Sequence, residues 1–339
     1  MHQIDSVLVA DEIEQECLDI LKNNGIKAVK RIKLSEEQLC TELVNYDAVI
    51  VRSATKITKK IIQTTAGKLK LIGRAGTGVD NIDVTAATEH GILVMNTPTG
   101  NSRSAAELTC TLILSLARRI SEADRSMKGN KWNRKALMGE EVFGKTLAVI
   151  GLGRIGMGVA QRLQAFGMKT VGYDPFVSPE DAEKAGISWV PLNEIWSVAD
   201  YITIHVPLTP KTKNLINSQS LKACKSGVKI INVARGGIVN EKDLLDALND
   251  GHVAGAALDV YEQEPPTYRS IIEHPRVICT PHLGASTAEA QRRVAEEIAE
   301  NIVALNTENK YLGVVIIREV IKLYCLIRFK SNNTNLRII

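Results

Sequence analysis

The chain has 339 residues, enough for two domains with sizeable cores. Hydrophobic residues make up 45% and charged residues 24%, the balance of a soluble globular protein, and 42 basic against 38 acidic residues leave a net charge of only +4. A charge this mild, with aromatics at 4% and no basic–aromatic interleaving, argues against nucleic acid as a partner, and no apolar run reaches the length of a membrane span. The first residues, MHQIDSVLVADEIEQE, place acids beside a short strand and read as neither a signal nor a transit peptide. The six cysteines (Cys17, Cys40, Cys110, Cys224, Cys279 and Cys325) include no CxxC pair, so free thiols in a reducing cytoplasm are expected, and no structural zinc.

Residues 1 to 97 alternate short apolar runs with helical patterns. Ser6–Ala10 reads as a strand and Glu12–Leu21 as a helix that ends near Gly25; Ser35–Leu43 reads as a second helix with Ser35 at its N-cap. Ala48–Val51 is a strand of the fully buried type, ending at Arg52-Ser53. Leu69–Ile72 is another, ending at Gly73-Arg74, and Ile92–Met95 is closed by Asn96-Thr97-Pro98. Strands alternating with helices predict a parallel α/β sheet, on which ligands bind outside the carboxyl ends of strands. Arg52 and Arg74 both follow predicted strand ends, which suits one crevice.

Asn101–Ile120 is a long apolar helix with Ser104-x-x-Glu107 as a capping box near its start. Its apolar content is too broad for a surface helix, so it is expected between domains or in a dimer interface. Ser121–Gly144, with Lys131-Trp132-Asn133-Arg134, is polar and lacks a core pattern of its own, so it is expected on the outside or against a partner.

Lys145–Pro175 organises the rest of the chain. Thr146–Ile150 is a strand, Gly151-Leu152-Gly153-Arg154-Ile155-Gly156 a glycine turn, and Ile155, Val159, Leu163 and Phe166 mark one face of a helix with Gly167 at C′. A second strand, Thr170–Tyr173, delivers Asp174, 18 residues past Gly156. A lone GxGxxG is weak, because ordinary βαβ turns carry glycines too. Here the strand, the helix and the terminal acid all fall where a dinucleotide site needs them. The helix N-terminus offers N–H groups to the pyrophosphate, and a carboxylate at Asp174 accepts ribose hydroxyls and repels a 2′-phosphate; NAD is therefore the expected cofactor.

Further strands follow at Tyr201–Ile204, Val228–Val233, Ala254–Leu258 and Val277–Cys279, with a helix over Asn240–Asn249 closed by Asp250-Gly251. They complete a six-strand domain from 98 to 286. Thr287–Asn306 is an amphipathic helix that returns to the first domain. The expected fold is α/β, with two doubly wound parallel-sheet domains: a Rossmann NAD-binding domain (98–286) inserted in a flavodoxin-like substrate-binding domain (1–97 and 287–315). Two crossings, near 97–101 and 281–287, suit a hinge and closure on substrate.

Three strand ends of the inserted domain carry ionisable residues: Arg235 in NVARGG, Glu264 in DVYEQEPP and His282 in TPHLGAS. Hydride transfer from a hydroxy acid needs a fork for the carboxylate, a base for the hydroxyl proton and a group that tunes the base. Arg235 suits the fork, His282 the base and Glu264 the tuning carboxylate. Singly, each residue has an ordinary explanation: a capping histidine, a surface ion pair, a turn glutamate. Their shared place at carboxyl ends of strands, on the cofactor side, makes the joint functional reading the stronger. His90, His205, His252 and His274 read as structural, and no pair has metal-ligand spacing, so no metal is expected.

Val51-Arg-Ser-Ala-Thr55, Gly73-Arg-Ala-Gly-Thr-Gly-Val-Asp-Asn81, Asn96-Thr-Pro-Thr-Gly-Asn-Ser102, the Gly151–Gly156 turn, Asn232-Val-Ala-Arg-Gly-Gly237 and Pro281-His-Leu-Gly-Ala285 together carry a resemblance. Over residues 5 to 315 the chain resembles the D-2-hydroxyacid dehydrogenases. The resemblance implies oxidation of a phosphorylated 2-hydroxy acid by NAD, with Arg235, Glu264 and His282 catalytic. It implies cofactor contacts at Thr77, Gly151, Gly153, Arg154, Ile155, Gly156, Asp174, Pro207, Val233, Ala234, Arg235, Asp259, His282 and Gly284. It makes Arg52 and Arg74 ligands of the substrate phosphate, sends Arg134 toward a partner's active site, and implies a homodimer or homotetramer formed through the nucleotide domain. Residues 316–339 no longer resemble the family, and feedback through an appended regulatory domain, as in longer members, is not expected. Two alternatives remain: a reductase of an unphosphorylated 2-oxo acid such as glyoxylate or hydroxypyruvate, and an NAD-sensing, corepressor-like binding protein. Two arginines for a second anion favour the phosphorylated substrate, and no appended partner-binding motif supports the third reading.

Overall fold

A computed structural model describes residues 3–315. They form two compact units: one takes in the described residues up to Asn101 and those from Ala288 onward, the other is Ser102–Thr287.

The first unit runs β1 (Ser6–Val9), α1 (Gln15–Asn23), β2 (Lys27–Lys30), α2 (Glu36–Leu43), β3 (Ala48–Val51), α3 (Lys59–Thr65), β4 (Leu71–Arg74), α4 (Val84–Glu89) and β5 (Leu93–Asn96). All neighbours pair in parallel in the order β2-β1-β3-β4-β5, the flavodoxin-like order. A parallel sheet covered on both faces needs strands that are apolar throughout, and all four residues of β3 are buried. Ser35 caps α2 as expected, in a capping box with Gln38. The strand predicted at 69–72 lies two residues later, so Gly73 and Arg74 belong to β4 rather than following it. The 12–21 helix begins at Gln15. Two elements of this unit had no sequence prediction. β2 is an edge strand whose two apolar residues stand between lysines, and α3 spans only 7 residues, too short to display a helical period.

The second unit runs α5 (Ser102–Ala117), α6 (Ile120–Lys128), β6 (Thr146–Ile150), α7 (Arg154–Gln164), β7 (Lys169–Tyr173), α8 (Pro179–Lys184), β8 (Ser188–Trp189), α9 (Leu192–Val198), β9 (Tyr201–Ile204), α10 (Ser218–Ala223), β10 (Val228–Asn232), α11 (Glu241–Asn249), β11 (Val253–Leu258), α12 (Arg269–Ile272) and β12 (Val277–Cys279). Its sheet is parallel, in the order β12-β11-β10-β9-β6-β7-β8. It has seven strands rather than the six expected, because the two-residue β8 extends the edge beside β7. Chain order reverses between β6 and β9, the switch point where ligands of such sheets bind.

The apolar helix predicted over 101–120 ends at Ala117, where Arg119 takes a left-handed φ of 52° and α6 starts. Ser104 lies inside α5, so it is no cap; its hydroxyl pairs with Thr287 Oγ1 at 2.8 Å. The broad apolar content of α5 is spent inside its own unit, against α7, β10 and β11, with Ala106, Leu112, Ile113 and Ala117 in the core. A fully buried Ile113 contributes about 1.5–3 kcal/mol of burial. Val159 and Leu163 of α7 are buried as expected. Phe166 is 52% exposed, because α7 ends two residues earlier, at Gln164. The last helix, α13 (Ala288–Glu308), belongs to the first unit and packs along α1. The expected divergence of 316–339 lies outside the described residues. Among those residues no helix is long and apolar enough to cross a membrane.

Candidate active site

The glycine turn at the end of β6 assigns a different constraint to each glycine. Gly151 has φ +97°, and a Cβ there would sit 2.5 Å from the His205 carbonyl oxygen. A Cβ on Gly156 would sit 2.0 Å from the Gly151 oxygen, so only glycine lets α7 pack this close to β6. Gly153, the N-cap of α7, has nothing within 4 Å of its Cβ position and is exposed. No side chain caps α7, which leaves the first-turn N–H groups and the positive dipole end to a ligand. Arg154 is exposed and Ile155 half-buried at this end of the helix.

Asp174 follows β7 beside the turn. Its Oδ2 accepts from Leu152 N at 2.9 Å and its Oδ1 from Phe176 N at 2.8 Å, so the carboxylate is fixed at the rim of the cradle. An open glycine approach, an uncapped helix end and an oriented carboxylate fit a dinucleotide without a 2′-phosphate. Pro207 is exposed beyond β9, Val233 is buried beyond β10, and Ala234 is half-buried.

Arg235, Glu264 and His282 stand after β10, β11 and β12, on the same carboxyl side of the sheet. The Asn232 side chain, a residue with no sequence-based assignment, holds the first of these turns. It accepts from Ala234 N at 3.0 Å and donates to the Arg235 carbonyl at 2.8 Å. Gly236 lets that turn approach Tyr261, whose carbonyl oxygen would lie 1.6 Å from a Cβ.

The His282 turn rests on Asp259, which is fully buried. Asp259 Oδ1 accepts from Thr280 Oγ1 (2.6 Å) and Leu283 N (2.7 Å), Oδ2 from Gly284 N (2.9 Å), and its carbonyl from His282 N (2.8 Å). These bonds hold His282 at φ 56°, a backbone region uncommon for residues other than glycine.

His282 Nδ1 lies 2.7 Å from Glu264 Oε2, and Glu264 Oε1 accepts from Tyr261 N at 3.2 Å. The hydrogen bond to Glu264 raises the His282 pKa above its ordinary 6.5, against the opposing effect of partial burial. Burial pushes the Glu264 carboxyl up, but the bond and charge of His282 outweigh it and the net shift is downward. With both groups partly exposed, the pair adds little to folding; its effect is to orient the ring. A carboxylate on Nδ1–H leaves Nε2 of the neutral ring as a proton acceptor. Arg235 lies close enough for its charge to oppose His282 protonation and favour the Glu264 carboxylate.

The other described histidines bond the structure. His205 is driven down to about 3 by burial, stays neutral and pairs with Thr203 Oγ1 at 2.9 Å. His90 Nδ1 and His252 Nε2 bond backbone carbonyls, and His274 Nδ1 accepts from Arg276 N. Among the described residues no group of three potential ligands is placed to hold a metal.

In the first unit, Arg52 follows β3 and Arg74 ends β4, and Val51 and Arg74 face each other in the ladder, so the two arginines stand at neighbouring strand ends. Gly76 has φ +141°, and a Cβ there would collide with the Arg74 guanidinium, which lies across it. Thr77 Oγ1 donates to Asn101 Oδ1 at 2.7 Å. Arg134, in the second unit, is exposed in the segment after α6.

A doubly wound, glycine-turn domain with an Arg, Glu and His at its strand ends is the arrangement of a nicotinamide-dependent hydroxyacid dehydrogenase. The family model for the D-isomer specific 2-hydroxyacid dehydrogenase NAD binding domain matches residues 110–284, and the chain belongs to that family. It is 53% identical over 309 residues to the D-3-phosphoglycerate dehydrogenase of Rattus norvegicus, covering 91% of this chain and 58% of that protein. It is 48% identical over 297 residues to the enzyme of the same name from Bacillus subtilis, covering 87% and 56%. The chain thus spans little more than half the length of these curated relatives. Among solved structures, a glyoxylate reductase from Paecilomyes thermophila superposes with a TM-score of 0.85 at 28% identity, over 92% of this chain and 98% of that one. A D-lactate dehydrogenase from Aquifex aeolicus, complexed with NAD and lactic acid, gives 0.81 at 29% identity, over 92% and 99%.

Proposed function

We propose that this chain catalyses the NAD-dependent oxidation of 3-phospho-D-glycerate to 3-phosphohydroxypyruvate, the first step of the phosphorylated route to L-serine. The observation that carries the reaction class is the 2.7 Å His282–Glu264 pair at the carboxyl side of the NAD-binding sheet. The substrate follows the relatives: identity is 48–53% to proteins named for 3-phosphoglycerate, against 28% to the glyoxylate reductase. In this reading the Arg235 fork holds the substrate carboxylate, His282 Nε2 takes the hydroxyl proton, and Glu264 stabilises the resulting imidazolium. NAD, when bound, accepts the hydride from the substrate carbon. Gly151, Gly153, Arg154, Ile155, Gly156 and Asp174 hold its adenosine and pyrophosphate half, and Arg52 and Arg74 take the substrate phosphate. A cytoplasmic homo-oligomer, with Arg134 serving the partner subunit, completes the reading.

The deciding experiment is NADH formation from 2-hydroxy acids with and without a phosphate. Turnover of 3-phospho-D-glycerate well above D-glycerate and D-lactate is expected. Preference for an unphosphorylated acid removes the substrate, and no turnover of any acid removes the enzyme. Replacing Asp174 by alanine is expected to reduce the preference for NAD over NADP by about tenfold or more, since a carboxylate repels the 2′-phosphate. An unchanged ratio of kcat/KM values contradicts the ribose assignment.

Oxidation needs neutral His282, so kcat/KM should rise with pH through a pKa above 6.5. Glu264→Gln removes the group that raises that pKa. The acid limb is therefore expected to move to lower pH while the maximum rate falls, and a limb that stays in place sinks the pairing.

A further inference from the structure

The structure assigns to Asp11 and Asn81 the positioning of Arg52, an inference that rests on the phosphate role proposed for that arginine. Asp11 lies just past β1 and Arg52 just past β3, neighbouring strands between which the chain order of the first sheet reverses. The carboxyl ends at such a reversal are where open parallel sheets receive ligands. A cavity of about 620 Å³ opens there, lined among others by Asp11, Lys33, Arg52 and Thr55.

The loop that carries Arg52 is gripped from two sides. Asp11 is 6% exposed. Its Oδ2 accepts from Arg52 N at 2.6 Å and Thr55 N at 3.2 Å, and its Oδ1 accepts from Thr55 Oγ1 at 2.6 Å. Asn81 Nδ2 donates to the carbonyls of the same two residues, Arg52 at 2.7 Å and Thr55 at 2.6 Å. Two side chains therefore satisfy both backbone N–H groups and both carbonyls at the ends of a four-residue loop whose middle, Ser53-Ala54, is exposed. A short exposed loop without such anchors gives these groups to water and samples several conformations. Fixing the Arg52 backbone removes part of the ordering cost of binding an anion with a long side chain. Neither Asp11 nor Asn81 contributes a cation. Their effect on the reaction passes through Arg52, and it falls on the phosphorylated substrate alone.

The test uses the full chain, with steady-state kinetics on 3-phospho-D-glycerate and D-glycerate. Arg52→Ala is expected to raise KM for the phosphorylated acid about tenfold or more, and to lower kcat/KM for D-glycerate by a much smaller factor. Asp11→Ala is expected to give the same selective rise at about three- to tenfold, leaving kcat and KM for NAD within about twofold. Asp11→Asn keeps an oxygen for the two N–H groups and recovers most of the loss. The Asp11→Ala, Arg52→Ala double variant is no worse than Arg52→Ala alone, because both act through one group. Asn81→Ala shows the same selectivity, and it decides the matter if Asp11→Ala does not yield folded protein. Selective Arg52→Ala with unselective or silent Asp11→Ala and Asn81→Ala overturns the positioning role and leaves the phosphate reading standing. Unselective Arg52→Ala overturns the phosphate reading, and the positioning role with it.

Discussion

His282→Ala is expected to lower kcat by about 10²–10⁴, the usual contribution of a positioned general base, while NAD affinity changes little. The imidazole has one use in the proposed reaction that no neighbour can take over: Nε2 receives the hydroxyl proton while Glu264 holds Nδ1. Glu264 is oriented by Tyr261 N on one side and His282 on the other, and a guanidinium offers donors and no acceptor, so neither substitutes as a base. The turn itself is held by Asp259 through backbone N–H groups of His282, Leu283 and Gly284, all of which alanine keeps. Fold and cofactor site should therefore survive. Fluorescence titration of NADH alongside kcat separates the outcomes. A kcat within about threefold of the parent excludes His282 as the base, and loss of NADH binding with unchanged chemistry at saturation excludes the role in another way.

Gly156→Ala is the second large effect, and it acts on the cofactor. The added Cβ would stand 2.0 Å from the Gly151 carbonyl oxygen and 3.0 Å from Val149 Cγ1. The first obstacle is backbone, which no rotamer change relieves, so α7 must move off β6. Overpacking of this kind costs about 1–3 kcal/mol. The helix N-terminus that would receive the pyrophosphate moves with the helix, so NAD affinity is expected to fall by tens-fold and the melting temperature to drop by several degrees. Gly153→Ala provides the contrast. Nothing lies within 4 Å of its Cβ position and its φ is −78°, so the fold should be unaffected. The new methyl instead narrows the approach to the phosphates. Weaker NAD binding at an unchanged melting temperature is the expected result, measured by calorimetry and thermal unfolding. Equal melting-temperature losses in both variants contradict the separate roles of the two glycines.

The glycine turn shows how local the legible part of the site is. Strand, turn, helix and Asp174 lie within 31 residues, and the periodicities of 2 and 3.6 with their glycine punctuation are properties of neighbours in the chain. The shared side of Arg235, Glu264 and His282 was legible for a related reason. Each ends a βα unit, and parallel topology sends all such ends to one side of the sheet. Ser104 misled because a capping box is a pattern of residue types, whereas the actual helix start at Ser102 and the Thr287 contact depend on distant packing. β2 and β8 escaped because an edge strand of two to four residues is stabilised by its neighbour rather than by its own composition.

Asp11, Asn81, Asn232 and Asp259 lay furthest from reach as supports of the site. Each grips a loop through hydrogen bonds, and partners such as Asp11 and Arg52 lie 41 positions apart. A buried carboxylate that takes backbone N–H groups has no period and no fixed spacing. Its role exists once two strand ends stand side by side. By itself the sequence determined the α/β class, the glycine turn with Asp174 at the end of the next strand and the place of three ionisable residues at strand ends, because short-range backbone preferences and chain topology suffice for those. Only the tertiary structure decided that His282 bonds Glu264 at 2.7 Å, that Asp259 is the buried anchor of the histidine turn, and that Arg52 sits in a loop clamped by Asp11 and Asn81. Those features depend on side chains meeting across strands, at distances the order of residues does not encode.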